Sequence, residues 1–167
     1  IVAMSSGTGV SQSNLGLALT GTFITYGIGQ LISGFLGDRF QPKKLVALGL
    51  LVTIIANICL SFCGANYVLM TVLWCINGFA QAFMWPPIVK LMTDRLSDEE
   101  YKKQTQKISW GSTFATIFLY LACPLIISLL NWESVFYFSA IIGIVGLIYW
   151  WVSCPIIELK REEKVEV

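Results

Sequence analysis

The chain alternates long apolar stretches with short polar connections. Five stretches contain no Asp, Glu, Lys or Arg, and they cover residues 14–37, 45–63, 68–89, 108–130 and 135–157. A helix that rises about 1.5 Å per residue needs roughly 20 residues to cross a hydrocarbon core about 30 Å thick. Each stretch is therefore predicted to be a transmembrane helix. The predicted fold class is an all-α, polytopic membrane helix bundle with five transmembrane helices.

Composition and charge set the orientation of these helices. The 167 residues are 56% hydrophobic and 13% charged, which indicates a lipid bilayer as the main surroundings of the chain and no nucleic acid partner. All eleven Lys and Arg residues lie in alternate connections, at 39–44, 90–107 and 160–164. The positive-inside rule then places these segments in the cytoplasm and the connections 64–67 and 131–134 outside. The N-terminus of the chain is predicted outside and its C-terminus inside.

The two ends of the chain suggest a fragment. Residues 1–13 begin apolar, become rich in Gly and Ser, and lack the basic region of a signal peptide, so we interpret them as an external loop after a missing first helix. Residues 14–157 form the five-helix transmembrane part, and residues 158–167 the start of a cytoplasmic linker. An odd number of spans with both basic loops inside is what remains when one N-terminal helix is absent from a six-helix unit.

Catalytic and metal chemistry finds little support in the residue types. The chain has no His, and its five Cys lie in or at the ends of apolar stretches without a CxxC pair, which is typical of small packing residues. No zinc or other metal site is predicted. No catalytic residue and no cofactor are predicted either, because the groups for acid–base or nucleophilic catalysis are missing.

Glycine and proline indicate where helices approach or bend. The first stretch is rich in Gly, which lets helix backbones come close in lipid. In the third stretch Trp85, Pro86 and Pro87 should interrupt the helix, because two prolines leave two preceding carbonyls without N–H donors. Pro124 should bend the fourth helix by freeing the carbonyl of Tyr120.

One connection carries a specific motif. Its sequence, GFLGDRFQPKK, has Gly34 four residues ahead of Asp38 and Arg39, followed by the basic pair Lys43 and Lys44. This pattern resembles the signature between the second and third helices of the major facilitator superfamily, although Gln41 replaces the second conserved Gly. An ordinary positive-inside loop explains the lysines but not an Asp next to the membrane. The resemblance implies helices two to six of a twelve-helix fold whose two halves flank a central site.

Further matches narrow the resemblance. The segments LGLAL at 15–19 and YG at 26–27, and GFAQ at 78–81 before WPP at 85–87, are similar to the organophosphate:phosphate antiporter branch. Lys90 and Trp110 stand where that branch has a basic residue and a Trp. The branch contains glycerol-phosphate and hexose-phosphate transporters, and it implies a secondary active transporter of a small polar or anionic metabolite. It also implies a bacterial inner membrane location.

The alternative is a non-transporting membrane receptor of sugar phosphate with the same fold. In either case the partners implied are the lipid bilayer, a small-molecule substrate, and the missing first helix and C-terminal half.

The chain differs from the branch at two positions where the branch's phosphate carriers have a basic side chain. The branch's phosphate carriers commonly have a Lys where this chain has Gln30 and a His where it has Phe114. Phosphate that leaves water needs cations or convergent N–H donors, so the charge of an anionic substrate must be met by parts outside this chain. Gly78 stands at the approximate place of an intramembrane Arg found in many proton-driven members. Exchange or uniport is therefore favoured over proton symport.

The resemblance assigns two groups of residues. The substrate pathway is expected to include polar or aromatic residues on cavity-facing helices: Tyr26, Gln30, Asn77, Gln81 and Trp110. A cytoplasmic charge cluster is expected to stabilise one conformation as a gate, and it comprises Gly34, Asp38, Arg39, Lys43, Lys44, Lys90 and Asp94. Polar residues elsewhere in the spans are expected to form helix–helix contacts.

The charge pattern yields a topology prediction. Single cysteines introduced at 64–67 or 131–134 of the full-length protein should react with an impermeant reagent added outside, and cysteines at 98–106 should be protected. Labelling of Asn131→Cys and Lys103→Cys from the same side would contradict this topology.

Overall fold

A computed structural model of the chain describes residues 1–165, with side chains described as far as Cys154. The described residues form seven helices and no strand. The helices are α1 (Val2–Thr8), α2 (Gln12–Gly37), α3 (Pro42–Ser61), α4 (Tyr67–Gln81), α5 (Trp85–Arg95), α6 (Asp98–Leu129) and α7 (Glu133–Val165). The expected linker 158–167 is thus helical as far as Val165, and residues 166–167 lie outside the described residues.

Five helical segments of the described chain are long and apolar enough to cross a membrane. They are α2, α3, α4 together with α5, α6, and the part of α7 from Glu133 to Cys154. The prediction of an all-α bundle with five spans, in the predicted order, is confirmed. The connections between successive spans are short, at 38–41, 62–66, 96–97 and 130–132, so consecutive spans run in opposite directions.

The connection expected at 90–107 is mostly helical. α5 continues to Arg95, and α6 begins at Asp98, ten residues before its apolar stretch. Ser97 caps α6: its hydroxyl accepts the Glu100 N–H at 3.4 Å, and its own N–H donates to the Glu100 carboxylate at 3.1 Å. This capping box, with acidic residues in the first turn, stabilises a charged helix start that a search for apolar residues does not detect.

The expected external loop 1–13 contains a short helix. α1 packs against the indole of Trp132, because a Cβ added at Gly7 would lie 2.6 Å from its Nε1 atom. Met4 of α1 is buried. Seven residues are too few for a clear hydrophobic period, so the sequence did not predict this helix.

A hydrophobic cluster joins the helices at the end of the bundle that contains the connections 62–66 and 130–132. Its buried members come from the helices α1 to α4 and from the connections 62–66 and 130–132: Met4, Leu15, Ala18, Leu60, Cys63, Met70, Trp74 and Trp132. Farther along the bundle, α2 packs on α4, and α3 packs on both α4 and α7. Among the described residues α6 packs chiefly against α7, and none of its residues is buried.

Glycines allow α4 to approach its neighbours closely. A Cβ at Gly78 would lie 2.5 Å from the Thr22 carbonyl oxygen of α2, and one at Gly29 would lie 2.9 Å from the Phe79 carbonyl oxygen. The close approach also lets the Thr25 hydroxyl donate to the Cys75 carbonyl of α4 at 2.8 Å. Small residues that bring backbones together are a common basis of helix association in membranes.

Close packing of the glycines in the first span is only partial. Gly21 and Gly29 have close neighbours on α4, whereas an added Cβ would have open space at four other positions: Gly16, Gly27, Gly34 and Gly37. Within the described structure, the close approach expected from the glycine content of this helix is therefore found at two positions, and the other four glycines have no neighbour of this chain within 4 Å.

Gly78→Ala should destabilise the full-length protein, because the added methyl group overlaps the α2 backbone. Overpacking of this kind costs about 1–3 kcal/mol. Gly27→Ala is the matched control, since the same methyl group points into open space and removes a flexible helix residue. Thermal unfolding in detergent should show a lower midpoint for Gly78→Ala only. Equal midpoints for the two variants would contradict the close contact of α2 and α4.

Candidate functional site

An ion pair joins the end of α2 to the middle of α5. Asp38 follows the last residue of α2, and Lys90 lies in the middle of α5. The Lys90 Nζ atom donates to an Asp38 carboxylate oxygen at 2.7 Å. The Lys90 side chain is 34% exposed and the Asp38 side chain is 74% exposed. Because both are accessible to water, the pair contributes at most about 1 kcal/mol to stability. Its position rather than its strength makes it a candidate site.

A helix break positions α5 and therefore Lys90. α4 ends at Gln81 and α5 begins at Trp85, so the helix is interrupted at residues 82–84, just ahead of the prolines. Pro86 and Pro87 occupy the first turn of α5, where a missing N–H leaves no helical hydrogen bond unmade. Pro124, by contrast, lies inside α6, which continues through it.

An open groove of about 640 Å³ lies beside the ion pair. Its walls include Gly34 and Gly37 of α2 on one side and Trp85, Pro86 and Asp94 of α5 on the other. A Cβ at either glycine would find open space, so both glycines widen the groove without serving a helix contact within the described structure. Gly34 and Asp94, both predicted for the gate, therefore line the same groove as Asp38 and Lys90.

Two other cations of the predicted cluster contact aromatic rings. The Arg39 guanidinium carbon lies 5.2 Å from the centre of the Phe35 ring, and the Lys43 Nζ atom lies 4.8 Å from the centre of the Trp151 ring. The sequence grouped both with Asp38, but that carboxylate is taken by Lys90, and ring faces attract the remaining cations. Lys44 is exposed.

The two tryptophans at 150–151 were missed by the sequence reading. The Trp150 indole N–H donates to the Lys43 carbonyl at 3.1 Å and so ties α7 to the start of α3. Both tryptophans lie near the end of the last apolar stretch, and Trp is enriched at membrane interfaces. This position could have identified them from the sequence.

The predicted pathway residues form two hydrogen-bonded pairs on adjacent helices. On α2, Gln30 Nε2 donates to Tyr26 Oη at 2.9 Å, and on α4, Gln81 Nε2 donates to Asn77 Oδ1 at 3.3 Å. Asn77 is buried, Tyr26 and Gln30 are half-buried, and Gln81 is exposed. Each pair spans one helical turn, which aligns two polar side chains along one helix face.

Trp110 lies apart from these two pairs. It is 59% exposed on α6 and stacks on Phe114, with ring centres 6.1 Å apart. α6 packs chiefly against α7 in the described structure, so Trp110 lies on a helix outside the packed pair of α2 and α4. The structure therefore places four of the five pathway residues on two packed helices and the fifth on a separate one.

Comparison with known proteins identifies the protein family to which this chain belongs. The family model of the Major Facilitator Superfamily matches residues 1–167, the whole length of the chain. The chain belongs to this superfamily and is an integral membrane protein. Superfamily membership agrees with the five apolar helices and with the Gly34 to Lys44 motif.

Individual relatives carry names from transport and sensing. The chain is 31% identical over 108 residues to a probable hexose phosphate transport protein of Chlamydia trachomatis, covering 65% of this chain and 22% of the relative. It is 32% identical over 144 residues to a glycerol-3-phosphate transporter of Bacillus subtilis, and the match covers 82% of this chain and 32% of the relative. It is 30% identical over 107 residues to the membrane sensor protein UhpC of Escherichia coli, and the match covers 64% of this chain and 23% of the relative. The chain thus spans about a fifth to a third of the length of these relatives.

Proposed function

We propose that this chain is part of a secondary active transporter that moves a small polar or anionic metabolite by alternating access. Organophosphates and sugar phosphates are the substrate class to test first. The observation that carries the proposal is membership of the superfamily together with relatives named for hexose phosphate and glycerol-3-phosphate transport. No covalent chemistry is part of the cycle.

The five spans correspond to helices two to six of a twelve-helix transporter. The full-length protein supplies the first helix and the second half, and the substrate site lies between the two halves. We place the protein in a bacterial inner membrane with the Asp38 end of the bundle in the cytoplasm. The alternation of basic and non-basic connections supports this orientation.

The paired side chains of α2 and α4 are proposed to line the pathway. Tyr26, Gln30, Asn77 and Gln81 offer hydrogen-bond donors and acceptors but no charge, and Trp110 offers an aromatic wall. Since the apolar stretches of this chain contain no Lys, Arg or His, the negative charge of a substrate is met elsewhere in the full-length protein. Exchange or uniport fits this arrangement better than proton symport.

The Asp38–Lys90 pair is proposed to stabilise one conformation of the cycle. It ties the end of α2 to α5, which the helix break separates from α4. A weak pair that exists in one conformation and is absent from the other shifts their equilibrium by its whole free energy. The pair therefore acts on turnover rather than on substrate affinity.

Transport is tested with the purified full-length protein in proteoliposomes. We expect saturable uptake of radiolabelled glycerol 3-phosphate or glucose 6-phosphate, increased when the vesicles are loaded with inorganic phosphate. Protein-free vesicles are the control. Binding of either compound without any uptake would contradict the transport proposal.

A sensor is the second candidate, and the similarity to the membrane sensor protein UhpC favours it. In that case the full-length protein should bind a sugar phosphate and change the activity of a signalling partner in cells while showing no flux. Uptake and signalling assays on the same preparation separate the two candidates.

Gln30→Ala and Trp110→Ala should each weaken substrate binding while expression and thermal stability stay near wild type. The first substitution removes the amide that contacts Tyr26, and the second removes an exposed ring from α6. Loss of one hydrogen bond from the Gln30 amide to the substrate costs about 0.5–1.5 kcal/mol, or roughly a two- to ten-fold rise in Kd. Gln12→Ala at the exposed start of α2 is the control. Unchanged Kd values in both variants would remove these residues from the pathway.

Asp38→Asn should slow transport strongly while leaving substrate affinity within a few-fold of wild type. Loss of the pair removes at most about 1 kcal/mol, which changes the conformational equilibrium up to about five-fold. The double variant Asp38→Lys/Lys90→Asp should recover part of the lost turnover because it restores an ion pair. Asp98→Asn, which removes a carboxylate from the first turn of α6, is the control. Wild-type turnover in Asp38→Asn would refute the gating role, and lost binding with normal cycling would make Asp38 a substrate contact.

A further inference from the structure

The start of α3 and the part of α7 around residues 150–151 form a surface that the proposed transport cycle does not use. Lys43 and Lys44 are adjacent on α3, and Trp150 and Trp151 are adjacent on α7. The Lys43 ammonium lies over the Trp151 ring, and the Trp150 indole donates to the Lys43 carbonyl. We call these four residues the Lys–Trp surface. The two contacts fix the helices to each other, so the surface is preformed.

Among the residues whose side chains the structure describes, the Lys–Trp surface carries positive charge without a matching carboxylate. Asp38 is the one acidic residue between positions 34 and 44, and it pairs with Lys90. Lys43 contacts a ring instead, and no described carboxylate is in ion-pair contact with Lys43 or Lys44. An ammonium over a ring face still directs N–H groups away from the ring, where an anion can accept them.

The depth of this surface in the membrane indicates which anion it can bind. Lys43 and Lys44 lie at the end of an apolar helix, where long basic side chains reach the headgroup layer. Trp151 is 53% exposed beside them, and exposed Trp is enriched at the same depth. The anion present at that depth in high concentration is the phosphate of a membrane lipid.

Apolar side chains continue the surface toward the membrane interior. Leu48 lies one turn beyond Lys44 on α3 and is 51% exposed. Ile148 lies one turn before Trp151 on α7 and is 59% exposed. A ligand whose phosphate contacts the lysines can therefore lay an acyl chain along exposed apolar side chains.

We propose that the Lys–Trp surface binds an anionic phospholipid in the leaflet that contacts the basic connections. The headgroup phosphate accepts hydrogen bonds from Lys43 and Lys44, and the Trp151 ring lies at the headgroup boundary. Because Trp150 joins the same lysine segment to α7, a bound lipid would stabilise the contact of α3 with α7. The proposal does not depend on which metabolite is transported.

The test is lipid binding to the full-length protein, measured by native mass spectrometry. Phosphatidylglycerol should be retained more strongly than phosphatidylcholine with the same acyl chains. Lys43→Gln/Lys44→Gln should lower the affinity for phosphatidylglycerol about thirty-fold, the factor expected from the loss of about 1 kcal/mol for each of the two cations. Lys102→Gln/Lys103→Gln removes the same charge from an exposed pair on α6 and should leave the affinity unchanged. Lys43→Arg/Lys44→Arg should retain it.

A fluorescence measurement keeps the proposal testable if the glutamine variant does not fold. Brominated phosphatidylglycerol should quench tryptophan fluorescence more than brominated phosphatidylcholine, and Trp151→Phe should remove this excess. The proposal is overturned if the two lipids are retained or quench equally, or if the α6 control loses as much affinity as the α3 variant. Displacement of phosphatidylglycerol by millimolar inorganic phosphate also overturns it, because the surface would then bind free anions.

Discussion

The absence of water from the bilayer core is the constraint on which this structure depends. Backbone N–H and C=O groups there must bond within the chain, and a helix satisfies them one turn at a time. A break in a helix is tolerated only where protein covers the freed groups. The break between α4 and α5 meets this condition, because Ala82 and Phe83 are both buried. The same constraint that forces five helices thus limits where one of them can be interrupted.

Glycine contacts surround that break. Gly29 of α2 receives the side chain of Ala82, and Gly49 of α3 receives the carbonyl of Ala80 and the side chain of Phe83. α4 is therefore held from two sides immediately before the chain departs from helical geometry. Beyond the break, α5 has its charged contact with Asp38 at an exposed position. α5 also packs against α2 and α3 and buries Pro87 and Met92, so packing holds the chain on both sides of the break.

The sequence predicted the helices well because the bilayer imposes a length and a composition on each span. Number, order and approximate limits of the spans followed from the missing charges. The sequence did not predict two helical segments whose stability has another source. The start of α6 is charged and is stabilised by its cap at Ser97, and α1 is stabilised by packing against Trp132. The pairing of Asp38 with Lys90 was expected, but the rings that bind Arg39 and Lys43 were not. Phe35 lies inside the motif, one helical turn before Arg39, but the motif gives no reason to pair the two side chains. Trp151 lies on α7, and a motif read along one loop does not include it.

The exposure of the Asp38–Lys90 pair also makes it responsive to the solution around it. The Debye length is about 30 Å at 0.01 M salt and about 8 Å at 0.15 M, and exposed charges are screened accordingly. An ion pair with one partner 74% exposed loses attraction as ionic strength rises, whereas the buried contacts of Gly29, Gly49 and Gly78 do not. Salt on the side of the membrane where this pair lies therefore weakens the contact of Asp38 with α5. The packed helix contacts do not depend on ionic strength, so salt acts on the junction of α2 with α5 and not on the bundle as a whole.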